Sequence, residues 1–351
     1  MGIYGSSENG FSRFLIERGV CEKEGKFVVE FQHISKTYRV AKRQAGFGNA
    51  VRALFSREYE IVHALQDVSF SIGDGEMVGY IGPNGAGKST TIKIMCGVLT
   101  PDSGQCIIDG RVPWKNRTAH VREIGVVFGQ RSQLWWDVPV IDSFELIRDM
   151  YRLEKPAYTK NLEELTELLD LRELLKTPAR NLSLGQRMRC EIAASLLHGP
   201  KTLFLDEPTI GLDAVSKIAV RQFIKRLNEE KGTTVILITH DMQDIEALAR
   251  RILLIGRGRL LLDGSLEELK RRASGKKRLT LEFSGSAPKL RRGMTLEEAG
   301  EERMVIGLDP EVLAVSEAIA YLSAQTELTD VSVSGISTEE LVASLYKEYR
   351  I

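Results

Sequence analysis

The feature that most restricts the fold of this chain is a glycine-rich run, YIGPNGAGKSTT, at residues 80–91. It matches the pattern G-x-x-x-x-G-K-[ST], follows the apolar run Met77–Ile81 and precedes a helical pattern. In that context the glycines let backbone N–H groups surround phosphate oxygens, and the positive end of the following helix attracts the same phosphates. Lys88 can reach the β- and γ-phosphates of ATP, and Ser89 can bind Mg²⁺. The pattern therefore predicts an ATP-binding loop formed by Gly82, Pro83, Asn84, Gly85, Ala86, Gly87, Lys88, Ser89 and Thr90.

A second motif, TLFLDEP at residues 202–208, is an apolar strand pattern that ends in two carboxylates and a proline. Taken alone, an acidic pair at a strand end is more often a helix cap or a turn. The phosphate-binding pattern upstream favours a different interpretation. Asp206 is placed to support the Mg²⁺ shell, and Glu207 can polarise a water for in-line attack on the γ-phosphate.

The third motif, LSLGQ at residues 182–186, precedes an amphipathic helical pattern. It resembles the signature sequence of ATP-binding cassette (ABC) ATPases, which kinases and small GTPases lack. Ser183, Gly185 and Gln186 stand where the family has them, whereas Leu184 replaces the usual central glycine. The resemblance implies that these residues close over the γ-phosphate of ATP held by an opposite subunit. An ordinary N-cap turn would explain Ser183, but we do not expect it to explain Gly185 and Gln186.

Four further positions of the family are present in the family's order. Gln130, in VVFGQ, resembles the Q-loop glutamine that senses Mg²⁺ and the γ-phosphate. Asp213, in TIGLD, resembles the D-loop aspartate that crosses the dimer interface. His240 ends TVILITH and resembles the histidine that holds the γ-phosphate, although a single histidine is more often a buried core residue. Tyr38 resembles the aromatic that stacks on adenine, with simple packing as the alternative.

The resemblance covers residues 28–270 and implies an α/β fold, a P-loop NTPase cassette with a helical subdomain, followed by a small α+β C-terminal domain. Helical periodicity with few strand signals predicts the helical subdomain at about residues 131–182. We expect an N-terminal extension at 1–27 and an accessory domain at 276–351.

The accessory domain is predicted to have the order ββαβα. Strands are expected around Leu279–Phe283, Met304–Leu308 and Val331, as alternating apolar residues indicate. Asp309 and Pro310 look like the N-cap and first residue of the intervening helix. Ser337 pairs with Glu340 in a capping-box pattern for the last helix.

Composition limits the class of protein. The chain has 351 residues with 48 acidic and 48 basic side chains, so net charge gives no case for a nucleic-acid partner. Its four cysteines have no zinc spacing, which is typical of a reduced intracellular protein. No run approaches the roughly 18 apolar residues that span a bilayer, and the first 25 residues are mixed polar rather than a signal sequence.

Two segments are candidates for contact with a membrane or a membrane protein. An insertion at residues 39–60 carries apolar residues at helical spacing among basic side chains, which suits either an anionic surface or the protein's own core. Trp135 and Trp136 follow Gln130, where ABC transporters receive a permease helix. Both rings could instead be core residues, and we expect one of the two to line that groove.

The resemblance implies an ATP-hydrolysing subunit of a multi-component ABC transporter. It would dimerise on ATP, drive a separate transmembrane permease and lie peripherally on the cytoplasmic face of the inner membrane. The LSLGQRMR form and the short C-terminal module resemble those of exporter ATPases. An importer subunit remains an alternative, as does a soluble ABC ATPase of DNA repair or ribosomes. The soluble types have heptad insertions or two cassettes, which this sequence lacks.

Overall fold

The computed structural model describes residues 27–41, 59–129, 131–268, 277–310, 312–335 and 338–348. Several sequence predictions lie outside these residues. They are Gln130, Ser337, the apolar stripe of the 39–60 insertion (Phe47, Val51, Leu54 and Phe55) and residues 1–26 of the predicted extension.

The first part of the chain alternates strands and helices. In chain order its elements are β1 (Phe27–Ala41), β2 (Tyr59–Gly73), β3 (Met77–Ile81), α1 (Lys88–Met95), β4 (Ser103–Ile108), α2 (Arg117–Val121), β5 (Ile124–Phe128), α3 (Val140–Tyr151), α4 (Lys155–Leu168), a 3₁₀ turn (Ala179–Asn181), α5 (Leu184–Leu196), β6 (Thr202–Asp206), α6 (Ala214–Lys231), β7 (Thr234–Ile238), α7 (Met242–Leu248), β8 (Arg251–Gly256) and β9 (Arg259–Ser265).

A six-stranded sheet has the order β5-β6-β7-β3-β8-β9, in which only β9 is antiparallel to its neighbour. Its central strands are buried on both faces, as near-continuous apolar runs predict. Along β3, Met77 and Ile81 pack in one core cluster, whereas Val78 and Tyr80 pack in another, because successive side chains point to opposite faces. The carboxyl ends of β6, β7 and β3 are therefore side by side, and the loops that follow them share one edge of the sheet.

The two core clusters connect the sheet with different layers. One side carries a three-stranded antiparallel sheet, β2-β1-β4, whose Phe31 and Phe70 rings stack with centroids 4.8 Å apart. The other side carries α3, α4 and α5, with Phe144, Leu165 and Met188 buried in a common core. Of these helices, α3 and α4 lie within the residues 131–182 that the sequence predicts as a helical subdomain, whereas α5 begins just beyond them.

The C-terminal region contains β10 (Lys277–Ser284), β11 (Met294–Ala299), β12 (Arg303–Leu308), α8 (Val315–Ser323), β13 (Glu327–Gly335) and α9 (Thr338–Glu348). Its strands form an antiparallel sheet of order β11-β12-β10-β13. Leu279, Ile306 and Leu322 are buried between this sheet and α8. The fold is thus an α/β cassette with a small α+β region, as the sequence predicts.

The predicted order ββαβα is incomplete, because β11 precedes β12. Its sequence, MTLEEA, is largely exposed and acidic, so it lacks the apolar alternation that signals a strand. The prediction that Asp309 and Pro310 open a helix is wrong. The Asp309 carbonyl accepts the N–H groups of Val312 and Leu313 in a turn, and the helix begins only at Val315 after the extended Ala314.

The last helix, α9, packs against the cassette as well as following β13. Leu341 and Val342 belong to the same buried cluster as Ile245 of α7. Thr338 donates its hydroxyl hydrogen bond to the carboxylate of Glu246. The C-terminal region is therefore connected to the helix that follows β7. Within the part of the chain that is described, no helix is long and apolar enough to span a membrane.

Candidate nucleotide-binding site

The loop between β3 and α1 is packed so closely that two of its positions admit only glycine. A Cβ on Gly82 would lie 2.6 Å from the Ile255 carbonyl oxygen, and one on Gly87 would lie 2.5 Å from the Ala64 carbonyl oxygen. Gly85 and Gly87 also have φ of 80° and 112°, in the left-handed region that other residues avoid. The loop therefore wraps tightly ahead of α1, as a phosphate cradle requires.

Lys88 lies within this loop, with 9% of its surface exposed. Its Nζ donates to the carbonyl oxygens of Gly82 and Pro83 at 2.5 and 3.0 Å. Burial lowers the pKa of Lys88, while the nearby charges of Glu207 and Asp206 act to raise it. A buried ammonium whose hydrogen-bond acceptors are loop carbonyls fits an anionic ligand, because phosphate oxygens offer it stronger charge-assisted bonds.

Asp206 is the last residue of β6, and Glu207 follows it on the same edge of the sheet. Burial, and secondly the charge of Glu207, raise the pKa of Asp206, whereas Lys88 acts to lower it. Glu207 has φ of 53°, and its backbone N–H donates to the Ile238 carbonyl at 2.7 Å. A half-buried carboxylate beside a second carboxylate is a donor set that a divalent cation would stabilise. The pair therefore fits Mg²⁺.

His240 follows β7, which separates the strands carrying Lys88 and Glu207 in the sheet. Its side chain is 61% exposed, so the buried-histidine alternative is wrong. Nδ1 of His240 lies 2.8 Å from Oε1 of Glu207. Because a carboxylate accepts but does not donate, this contact assigns the proton to Nδ1 and leaves Nε2 for a ligand.

Tyr38 and Gly129 border the same site. The Tyr38 hydroxyl lies 3.5 Å from Thr90 Oγ1, which places the half-buried ring beside the first turn of α1. The Gly129 N–H donates to the Asp206 carbonyl at 2.8 Å, where a Cβ would also lie 2.8 Å from that oxygen. Gly129 immediately precedes Gln130, whose own position lies outside the described residues. Ser89 is exposed on the first turn of α1.

The signature residues and Asp213 form a second cluster, and each has a local structural role. Ser183 caps α5 by accepting from the Gln186 N–H, and Gln186 returns a bond to the Ser183 N–H. Asp213 caps α6 by accepting from the Ser216 N–H and hydroxyl at 2.9 and 2.8 Å. Position 185 requires glycine because a Cβ there would lie 2.4 Å from Ser216 Oγ. The expectation that capping explains only Ser183 is therefore wrong.

Comparison with known proteins identifies the family. The family model described as ABC transporter matches residues 65–210. The chain is 31% identical over 215 residues to the ABC transporter ATP-binding protein NatA of Bacillus subtilis, covering 61% of this chain and 87% of NatA. The chain belongs to the ABC transporter ATP-binding family.

Other relatives of this ABC protein have names that indicate different roles. It is 36% identical to the probable multidrug ABC transporter ATP-binding protein YbhF of Escherichia coli, over 59% of this chain but only 35% of YbhF. It is 34% identical to the glucose import ATP-binding protein GlcV of Saccharolobus solfataricus, over 59% and 60% of the two chains. Among solved structures, a dimeric ATP-binding cassette in a post-hydrolysis state with ADP and Pi bound has a TM-score of 0.56 and 28% identity. That match covers 68% of this chain and 98% of the other.

Sequence reasoning missed three buried polar residues behind the site of this ABC cassette. Thr209 and Thr239, both 2% exposed, flank the segments that carry Glu207 and His240, and the buried Asp244 lies beside them. Their residue types are common in turns and helix caps, so nothing in the sequence signals the contact.

Proposed function

We propose that this ABC ATP-binding subunit hydrolyses MgATP within a pair of cassettes and thereby drives a separate permease, in the direction of export. The observation that carries the hydrolytic part is the convergence of Lys88, Asp206 and the Glu207–His240 pair on one edge of the sheet. Lys88 follows β3, Asp206 and Glu207 lie at the end of β6, and His240 follows β7. The parallel strand order brings these three strand ends together.

In this proposal each of these residues has a separate role in phosphoryl transfer. The loop N–H groups and Lys88 bind the phosphates, and Tyr38 stacks on the adenine. Ser89, Asp206 and Gln130 would hold Mg²⁺, which when bound neutralises charge on the phosphate oxygens. Glu207 accepts a proton from the attacking water, while Nε2 of His240 donates to a γ-phosphate oxygen, which requires a proton on Nε2 as well as on Nδ1.

Pairing of two cassettes completes the site in this proposal. Ser183, Gly185, Gln186 and Asp213 would face the ATP of the partner, with the N-terminus of α5 as the anion site. The support is the packing of the α5 and α6 N-termini into one cluster, since both cap regions then approach a partner together. Leu184, the first residue of α5, packs over Gly211, where a Cβ would come within 2.8 Å of Leu184 Cδ2. The leucine therefore connects the start of α5 with the loop that precedes α6.

The first test is Glu207→Gln, which keeps the size of the side chain and removes its charge. We expect hydrolysis to slow by about 10²–10⁴-fold, the usual contribution of a general base, while ATP affinity is retained and ATP traps a dimer. Phosphate release, calorimetric titration and light scattering measure the three properties. Glu230→Gln, at an exposed ion pair with Arg226, is the matched control. Unchanged turnover in Glu207→Gln would remove Glu207 from this role.

Permease binding is proposed at Trp135 and Trp136, whose rings are 59% and 51% exposed. The alternative that both rings are core residues is therefore wrong. The segment is fixed by the Trp135 N–H donating to Ser143 Oγ at 3.0 Å and by the Arg180 N–H donating to the Trp136 carbonyl at 3.0 Å. Exposed aromatics on a fixed backbone suit the burial of a partner helix.

Export is supported by the form of the signature, whereas the similarity to GlcV keeps import as the alternative. We place the protein peripherally on the cytoplasmic face of the inner membrane. Affinity capture of Glu207→Gln from native membranes, with and without ATP, tests both points. A stoichiometric polytopic protein, retained less by Trp135→Ala/Trp136→Ala, would support the proposal, and its fold would distinguish exporter from importer. Recovery of soluble or ribosomal partners alone would overturn it.

A further inference from the structure

A buried ion pair behind the proposed catalytic pair has no role in binding ATP or in the chemistry described above. Asp244, on the first turn of α7, is completely buried, and Arg221 of α6 donates Nε to its Oδ1 at 2.6 Å. Burying the Asp244 carboxylate beside an arginine whose side chain is only 15% exposed is costly, and well-packed apolar residues are often at least as stable in such a place. A purely stabilising role therefore does not account well for this pair.

The second oxygen of Asp244 contacts the two loops that carry the catalytic pair. Oδ2 accepts the hydroxyl hydrogen bond of Thr209 and lies 3.5 Å from the hydroxyl of Thr239. Thr209 is two residues beyond Glu207, and Thr239 directly precedes His240. One carboxylate group thus connects the segment after β6 with the segment after β7.

The contact is supported from both helices. Thr239 Oγ1 also accepts the Asp241 N–H at 2.9 Å, and Asp241 accepts Lys217 Nζ of α6 at 2.6 Å. With Arg221 on the same helix, the charged groups facing Asp244 are held by α6 and α7 together. The carboxylate is therefore fixed relative to the sheet edge.

We propose that Asp244, fixed by Arg221, is a positioning residue that sets the distance between Glu207 and His240 by binding the hydroxyls of Thr209 and Thr239. This inference rests on the proposed ATP hydrolysis. The 2.8 Å contact between Glu207 and His240 depends on the relative placement of the ends of β6 and β7. These two strands also pair in the backbone ladder, and the Glu207 N–H donates to the Ile238 carbonyl. Small errors in such a geometry reduce turnover more than substrate binding.

The test uses Thr209→Val and Thr239→Val in the full chain, because removal of Asp244 itself would also take the nearer of two carboxylates from Arg221 and leave it only Asp241 at 3.8 Å. Valine keeps the shape and removes only the hydroxyl. Each variant is expected to lower kcat for ATP about tenfold, with KM changed less than twofold, and serine at the same position should restore turnover. Circular dichroism and the midpoint of thermal unfolding verify that each variant folds.

A double variant distinguishes positioning from a general structural effect. In Glu207→Gln/Thr209→Val the threonine effect should disappear, because the carboxylate that it positions is absent. Parental kcat in both valine variants, or a loss that serine does not restore, would overturn the inference. So would a full additional tenfold loss in the double variant. If the parent chain hydrolyses no ATP, or Glu207→Gln turns over normally, the proposed function fails instead.

Discussion

Replacement of Gly185 by alanine tests whether the signature helix and α6 are packed as tightly as the structure indicates. The new Cβ would lie 2.8 Å from the Ser216 Cβ, whereas ordinary contacts begin at 3.4 Å, so the helix ends must separate by about 0.6 Å. Ser216 Oγ, at 2.4 Å, could avoid the new methyl group only by breaking its hydrogen bond to Asp213. Overpacking of this kind costs about 1–3 kcal/mol of unfolding free energy.

Urea unfolding followed by circular dichroism measures this cost in Gly185→Ala, Ser216→Gly and the double variant. Ser216→Gly removes both atoms that the new methyl group meets, so the double variant should be more stable than the sum of the single effects by about 1–2 kcal/mol. Ser216→Ala is the matched control because it removes Oγ but keeps Cβ, and it should relieve only part of the overlap. Parental stability in Gly185→Ala, or additive losses in the double variant, would refute the packing argument.

The same variants separate packing from ligand binding at Gly185. A double variant with restored stability and restored ATP hydrolysis would mean that Gly185 is needed only for its contact with Ser216. Restored stability with hydrolysis still lost would mean that the partner's ATP also requires the glycine, as the proposed cassette pair implies.

Three further predictions concern the site and the C-terminal helix. Lys88→Ala should weaken ATP binding by about 3 kcal/mol in calorimetry, because buried phosphates lose their cation, whereas the exposed Lys225→Ala should not; normal affinity would count against the loop assignment. The pKa of Asp206 is raised in the folded, nucleotide-free chain, so a proton on this carboxyl group stabilises the folded chain relative to the unfolded chain. This contribution to the free energy of unfolding is lost as the pH rises from about 4 through the raised pKa. Asp206→Asn should therefore lose less thermal stability over that range while losing MgATP hydrolysis, and a melting profile parallel to the parent's would contradict the assignment. Leu341→Ala should lower the unfolding free energy of the cassette by about 2 kcal/mol, measured by denaturant unfolding, because its side chain lies in the cassette core; an unchanged cassette transition would contradict this packing.

Much of the site could be predicted from sequence because its signals are local. The glycines before Lys88 reflect backbone conformations that few other residues adopt, and the buried strands before Asp206 and His240 are short apolar runs. Such features depend on neighbours within a few residues. The exposed strand β11 and the start of α8 were predicted incorrectly for the same reason: local composition did not reflect the pairing with β12 or the turn at Asp309.

The sequence by itself determined the glycine-rich loop pattern from which phosphate binding is predicted, and it determined which strands are buried, because those preferences lie in the backbone and in apolar periodicity. Only the tertiary structure decided that Asp244 reaches both Thr209 and Thr239, and that α9 packs on the cassette. These contacts join segments that are distant along the chain. They arise from the strand order of the sheet and from the burial of apolar surface between layers, which no local pattern encodes.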